Sequence, residues 1–165
     1  IVRIGTIGKG GQGERVYSIN GKSCTLSANG GGRGAKTGLY LIEGQVRKLN
    51  IIEAERLQTL PDNYTKAIKE GQRYKAVGNG WTAEMIIHIL SYMNIPKDEL
   101  LVVLSLYDGI ATGRYCLEKL GYTNVKYYAY EIDENPVKCA LDNYPDIIEC
   151  GDAFRVREDN WKLEI

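Results

Sequence analysis

The sequence predicts an α/β fold, the first half of a doubly wound parallel sheet, and three features predict it. An unbroken apolar run from Leu100 to Tyr107 has the composition of a strand covered on both faces. It leads through a glycine-bearing turn, Asp108-Gly109-Ile110-Ala111-Thr112-Gly113, into a helical pattern that ends near Leu120-Gly121. Val125–Tyr130 repeats the strand signal, about Glu134 to Asn143 repeats the helix, and Ile147–Cys150 supplies a third strand before Gly151-Asp152. This alternation of strand and helix is the one from which doubly wound nucleotide-binding sheets are assembled.

The rest of the chain precedes this half. Residues 1–45 are glycine-rich, with Gly8, Gly10, Gly11 and Gly13 followed by Gly30, Gly31, Gly32 and Gly34. Arg15–Ile19 and Ser23–Ser27 have strand character, and Asn20-Gly21 between them is a hairpin signal because both residues tolerate positive φ. Lys9, Arg15, Lys22, Arg33 and Lys36 are interleaved with the glycines. Two readings stay open: a flexible surface loop, or backbone that approaches a phosphate chain closely. Residues 46–93 form a helical segment. Asn50 can cap a helix with Glu53 reaching back in a capping box, and Pro61-Asp62 ends it. A second helix runs from about Thr82 to Met93, where Met85, Ile86, Ile89, Leu90 and Met93 form a stripe facing a core. His88 within it reads as a packed or exposed side chain. Asn94-Ile95-Pro96 opens a linker over 94–99, and 100–165 is the α/β half.

Composition bounds the function. The 165 residues suffice for one modest domain, or one domain with a small appendage, and 44% hydrophobic residues suffice for one core. Lys plus Arg equals Asp plus Glu, so a chain gripping DNA along its whole length is disfavoured and any DNA contact falls to a local patch. No stretch approaches the roughly 20 apolar residues of a membrane span, and no basic-then-apolar leader opens the sequence. Cys24, Cys116, Cys139 and Cys150 show neither CxxC pairing nor metal-ligand spacing with His88, so they read as reduced thiols of a cytosolic protein. Without an initiator methionine, the chain is expected to be a piece of something longer.

In doubly wound folds the ligand lies across the carboxyl ends of the strands. At the second strand end Glu131 can accept hydrogen bonds from two ribose hydroxyls, and bonds to a charged acceptor contribute roughly 1.5–3 kcal/mol. Ile132 offers an apolar face to an adenine ring, and Asp152 at the third strand end can accept from an exocyclic amine. NAD-binding domains share a glycine turn followed by such an acid. This turn is not GxGxxG, however, and it contains Asp108. A carboxylate repels a pyrophosphate but not a ligand bearing a sulfonium and an ammonium, which tilts the reading toward S-adenosylmethionine.

Leu104-Ser-Leu-Tyr-Asp-Gly-Ile-Ala-Thr-Gly113 resembles the first motif of the C5-cytosine DNA methyltransferases, in the version of the animal de novo enzymes and of phage and bacterial relatives. Glu131-Ile132 and Gly151-Asp152-Ala153 stand where the second and third motifs fall. Val46–Leu49 with Glu53–Gln58 and Pro61–Tyr64 resembles the ninth motif, and Gln72–Thr82 the tenth. Gly21–Ser27, Gly30–Gly34 and Thr37–Tyr40 resemble the end of the target-recognition region. The resemblance implies a Rossmann-like fold that binds S-adenosylmethionine and methylates C5 of cytosine in double-stranded DNA. It implies that Asp108, Gly109, Ile110 and Thr112 line the methionine part and that Glu131 holds the ribose. Ile132 would contact the adenine, with Asp152 and the neighbouring Ala153 at its amine. Asn79, Gly80, Trp81 and Thr82 would close over the methionine end, and Thr25, Ser27, Arg33 and Lys36 would face DNA. Arg47, Glu53 and Arg56 would brace the recognition region rather than touch substrate.

The late motifs precede the first one here, as in a circular permutant joined through Asn94–Glu99 or a junction between tandem genes. The fourth motif, whose Pro-Cys carries the nucleophile, and the sixth, with Glu-Asn-Val, are absent: none of the four cysteines follows a proline. Cys116 and Cys139 read as core residues. The implied partners are DNA and a missing catalytic half, in the same chain or a second subunit. Exposed apolar faces of a half sheet would favour a homo-oligomer. Two other readings compete: a non-catalytic accessory partner of an active methyltransferase, and a small-molecule methyltransferase.

Overall fold

The computed structural model describes residues 1–28 and 37–157, which separate into two units. The first unit comprises Ile1–Asn63 and Lys69–Asn79, the second Tyr64–Ile68 and Gly80 onward.

The first unit carries a four-stranded sheet of β1 (Arg3–Thr6), β2 (Arg15–Ser18), β3 (Leu39–Ile42) and β4 (Gln45–Arg47), in that order across the sheet. β1–β2 and β3–β4 are antiparallel and β2–β3 parallel. The hairpin expected at Asn20-Gly21 is not formed, because Ser23–Ser27 is not a strand. The edge of β2 is taken instead by β3, whose Leu39 and Tyr40 bury far more apolar surface than a Ser-Cys-Thr-Leu-Ser stretch could. Ser23 and Cys24 serve Tyr40: the Ser23 hydroxyl lies 2.8 Å from the phenol oxygen, which also accepts from the Cys24 backbone N–H at 3.2 Å. The two-residue hairpin lies at Glu43-Gly44, both at positive φ (50° and 78°), and joins β3 to β4. The segment expected to be helical from residue 46 therefore opens as a strand.

The Asn50 cap is as expected. The backbone N–H of Glu53 donates to its side chain at 2.8 Å, and the Glu53 carboxylate accepts the Asn50 N–H at 2.7 Å, opening α1 (Ile51–Leu57). This helix stops before Pro61, with Thr59 left-handed (φ 56°). α2 (Glu70–Asn79) is a further helix whose signal its own glycines weakened. One of them has a purpose: a Cβ on Gly78 would stand 2.6 Å from the backbone N of Ala28, so α2 lies directly on that backbone.

The second unit contains α3 (Ala83–Leu90), β5 (Leu101–Leu106), α4 (Thr112–Lys119), β6 (Val125–Tyr130), α5 (Glu134–Asn143) and β7 (Ile148–Glu149). The sheet is parallel throughout in the order β5-β6-β7. Its core joins Tyr127 and Ala129 of β6 to Leu117 of α4, Ala140 of α5, Tyr122 and Ile147, with Leu101 and Val103 packed against them. β5 was expected to be covered on both faces. It is half-buried instead, with Leu106 exposed, because it is an edge strand among the described residues. The α3 stripe is also corrected: Leu90 and Met93 reach the core, whereas Met85 and Ile89 are exposed. Almost the whole helix is apolar, so periodicity could not choose a face. Fully buried Ala83 chose it, and its carbonyl lies 3.5 Å from the Cys116 thiol of α4. No helix among the described residues is long and apolar enough to cross a membrane.

Candidate cofactor site

At the end of β5 the chain turns through Tyr107 (φ 57°), Gly109 (φ 67°) and Ala111 (φ 59°), all left-handed, before α4 begins. Two non-glycine residues in that region are costly, on the order of 1–2 kcal/mol each, and persist only when their surroundings fix them. Several contacts do so. The Asp108 N–H donates to the Tyr130 carbonyl at 3.1 Å. Asp108 Oδ1 accepts the hydroxyls of Ser105 and Tyr127, each at 2.6 Å. Asp108 Oδ2 is buried and accepts nothing among the described residues. Burial, aided by the Glu131 charge, pushes this carboxyl above its usual range, and the two hydroxyls together with the nearby Ala111 backbone N–H oppose that. Burial, and then the Asp108 charge, lift the Tyr127 phenol far above its ordinary value, so it remains a donor.

Glu131, following β6, ties two strand ends together. Its Oε2 accepts the Gly109 N–H at 3.1 Å, and its Oε1 accepts the N–H groups of Ile132 (2.8 Å) and Asp133 (2.9 Å). A carboxylate offers about four acceptor positions, so among the described residues three are filled and one remains open on Oε2. Ile132 beside it is 76% exposed. At the third strand end Asp152 is exposed and accepts the Phe154 N–H at 2.9 Å, and Ala153 opens a 3-10 turn over Ala153–Arg157. A Cβ on Gly109 would meet nothing within 4 Å, so open space adjoins the turn.

The other expected residues fall as follows. Ile110 and Thr112 are buried in the turn. Trp81 is exposed, yet its ring comes within 4.0 Å of the Cβ position of Gly113, at the first turn of α4. Gly80 and Thr82 flank it, and Asn79 is the last residue of α2, in the first unit. Thr25 is exposed and Ser27 half-buried, while Arg33 and Lys36 lie outside the described residues. Arg47 forms a two-pronged pair with Glu53 at 2.8 Å, and Arg56 pairs with Asp62 at 2.6 Å, so both guanidinium groups are engaged within the first unit.

A model of the C-5 cytosine-specific DNA methylase family matches residues 5–94, more than half of the chain. The chain belongs to this family. It is 48% identical over 92 residues to the type II methyltransferase M.HhaI of Haemophilus parahaemolyticus, covering 56% of this chain and 27% of that protein. It is 30% identical over 83 residues to DNA (cytosine-5)-methyltransferase DRM2 of Oryza sativa subsp. japonica, covering 50% of this chain and 14% of that one. The matches thus span about a quarter and a seventh of those relatives' lengths.

In this methylase-family chain several residues of the candidate site carry no local sequence signal. Ser105 and Tyr127 sat inside strand runs, where their hydroxyls carried no signal until the pleat brought them to Asp108. Glu149 was passed over as a strand residue. Both of its oxygens are buried without a hydrogen-bond partner among the described residues, and burial, reinforced by the charges of Asp108 and Glu131, pushes it up to about 7. The thiols behave as expected of core residues: Cys116 and Cys139 are fully buried, and burial pushes Cys116 up to about 11. Among the described residues no disulfide links the four cysteines, and no cluster could hold a metal.

Proposed function

We propose that this chain is the cofactor-binding part of a DNA (cytosine-5-)-methyltransferase, taking S-adenosylmethionine at the carboxyl ends of β5, β6 and β7. Three parallel strands separated by helices support reading the second unit as half of a doubly wound sheet, with the late family motifs permuted ahead of the first. The observation that carries the proposal is the acidic floor at the strand ends. Among the described residues Asp108 Oδ2 is buried and open, one acceptor position is free on Glu131, and the glycine turn leaves space beside them. Such a floor suits a ligand carrying an ammonium, a sulfonium and ribose hydroxyls, and it repels a pyrophosphate.

In this reading the bound cofactor supplies an electrophilic methyl group. Asp108 holds the ammonium end, Glu131 accepts one ribose hydroxyl on Oε2, and Ile132 covers the adenine. Asp152 accepts from the adenine amine, and Trp81 with Gly80 and Thr82 shields the methionine end from water. A second ribose hydroxyl can reach Glu131 only if the Gly109 N–H gives way. No cysteine of this chain follows a proline, so the thiolate that attacks cytosine C6 comes from outside these residues, in the same polypeptide or a second one. The base must first leave the duplex, which costs a few kcal/mol and needs DNA contacts that the first unit would share.

The test is calorimetric titration of the chain with S-adenosylhomocysteine, with Glu131→Ala as control. Saturable one-to-one binding that the substitution weakens at least tenfold is expected. A folded chain that binds nothing would overturn the proposal and leave the accessory reading, in which the chain partners an active methyltransferase.

A further inference from the structure

The segment Tyr64–Ile68 lies within the second unit although the residues on both sides of it belong to the first. Tyr64 opens it and is almost fully buried. Its hydroxyl donates to the carbonyl of Ile110 at 3.0 Å and lies 3.3 Å from that of Ala111. These carbonyls belong to the turn after β5, and Ala111 is the left-handed residue from which α4 starts. At its other end the Tyr64 carbonyl accepts the Asn143 side-chain amide at 2.9 Å and the Cys139 thiol at 3.4 Å, both from α5. Lys66 adds a 3.8 Å ion pair to Asp142 of the same helix. The ring is set edge-on against Tyr115 of α4, with centroids 5.7 Å apart. Tyr64 is therefore a strut that runs from α5 to the turn.

We infer that the Tyr64 hydroxyl is a positioning group for the cofactor's amino-acid end: by holding the Ile110 and Ala111 carbonyls it fixes the left-handed turn, and with it the direction in which Asp108 and Gly109 face the ligand. The inference rests on the cofactor reading above. A turn carbonyl can point either way unless a donor selects one orientation, and a buried carbonyl without a donor is unfavourable. The Ala111 carbonyl also accepts the Tyr115 N–H at 3.1 Å, so the Tyr64 hydroxyl acts chiefly through Ile110. Asp108 secures the turn from the sheet side through Ser105 and Tyr127, and Tyr64 secures it from the opposite end at Ile110 and Ala111. Burial raises the Tyr64 phenol far above its ordinary range, so the hydroxyl donates at every working pH.

The experiment compares two ligands on the full chain and on Tyr64→Phe, which keeps the ring and deletes the hydroxyl. S-adenosylhomocysteine carries the amino-acid end; methylthioadenosine has the same nucleoside and sulfur without it. Loss of one buried hydrogen bond should weaken the first by about three- to tenfold. The second should stay within about twofold, because its contacts at Glu131, Ile132 and Asp152 are untouched. Tyr115→Phe, whose hydroxyl has no bond to the turn, should change neither. Should Tyr64→Phe lose its cooperative melt, Tyr64→Met fills similar space without a hydroxyl and serves instead. Equal weakening of both ligands identifies Tyr64 as merely structural and overturns the inference, as does unchanged binding of both. A wild-type chain that binds neither ligand overturns the cofactor reading itself, which separates the two failures.

Discussion

Gly113→Ala tests the arrangement around Asp108 most directly, because helix propensity and the site's geometry predict opposite signs. Gly113 is the second residue of α4 and its φ is not positive, so alanine suits the backbone. Replacing a helical glycine with alanine is worth up to about 1 kcal/mol of added stability. The new Cβ, however, would stand 2.8 Å from the Tyr127 hydroxyl, closer than a real Cβ approaches an oxygen. That hydroxyl has nowhere to go: Tyr127 is 1% exposed and its oxygen is bound to Asp108 Oδ1 at 2.6 Å. Moving it breaks a hydrogen bond to a charged acceptor, a loss of about 1.5–3 kcal/mol. The net expectation is destabilisation by about 1–2 kcal/mol, or roughly 2–8 °C in melting temperature for a protein of this size. Urea or thermal denaturation of the four members of a double-mutant cycle with Tyr127→Phe measures it. On the Tyr127→Phe background the Cβ meets no hydroxyl, so Gly113→Ala should become neutral or mildly stabilising. A wild-type background in which Gly113→Ala raises the melting temperature would refute the reasoning, since helix propensity would then have won and the Tyr127–Asp108 bond would contribute little.

Three further outcomes are expected. Glu149 titrates at about 7 in the folded chain against 4.5 for the free group, so its contribution is fully present below about pH 4.5 and is lost as pH rises through 7. Glu149→Gln should accordingly raise the melting temperature at pH 8 while changing it little at pH 5; equal shifts at both would contradict the burial argument. Asn50→Ala removes one half of the capping box and should lower the stability of the first unit by about 1 kcal/mol, read by urea denaturation. The exposed Met85 and Ile89 of α3 and Tyr92 just after it, together with Leu106 on the edge strand, predict self-association that Ile89→Glu reduces. A monodisperse monomer in concentrated light scattering would contradict it.

The legible parts of this chain were those in which a local signal and the tertiary structure agree. The Asn50–Glu53 capping box is a contact between residues three apart, and β5, α4, β6 and α5 each repeat a period that burial enforces. The strand-end positions of Asp108 and Glu131 were legible because glycine turns and acids at strand ends are local patterns as well. What stayed hidden depended on distant pairing. On the side where a hairpin was expected β2 pairs with β3, more than twenty residues away, and no property of Asn20-Gly21 reveals that a parallel neighbour outcompetes a hairpin. The face of α3 was decided by the small Ala83 rather than by its large residues. Tyr64 gave no sign of reaching Ile110, because a hydroxyl donating across 46 positions leaves no periodic trace.

The placement of Tyr64–Ile68 has a practical consequence for dissecting the molecule. The polypeptide passes from one unit to the other at Asn63, returns at Ile68 and leaves again at Asn79. No single cut therefore yields both units whole. A fragment beginning at Gly80 would contain every strand of the parallel sheet and every acidic group of the candidate site, yet it would lack the hydroxyl that braces the Ile110–Ala111 carbonyls and the carbonyl that occupies Asn143. A deletion series that maps binding by trimming from the amino terminus would then lose ligand at residue 64 and credit the loss to the glycine-rich unit, although the missing element was part of the sheet unit all along.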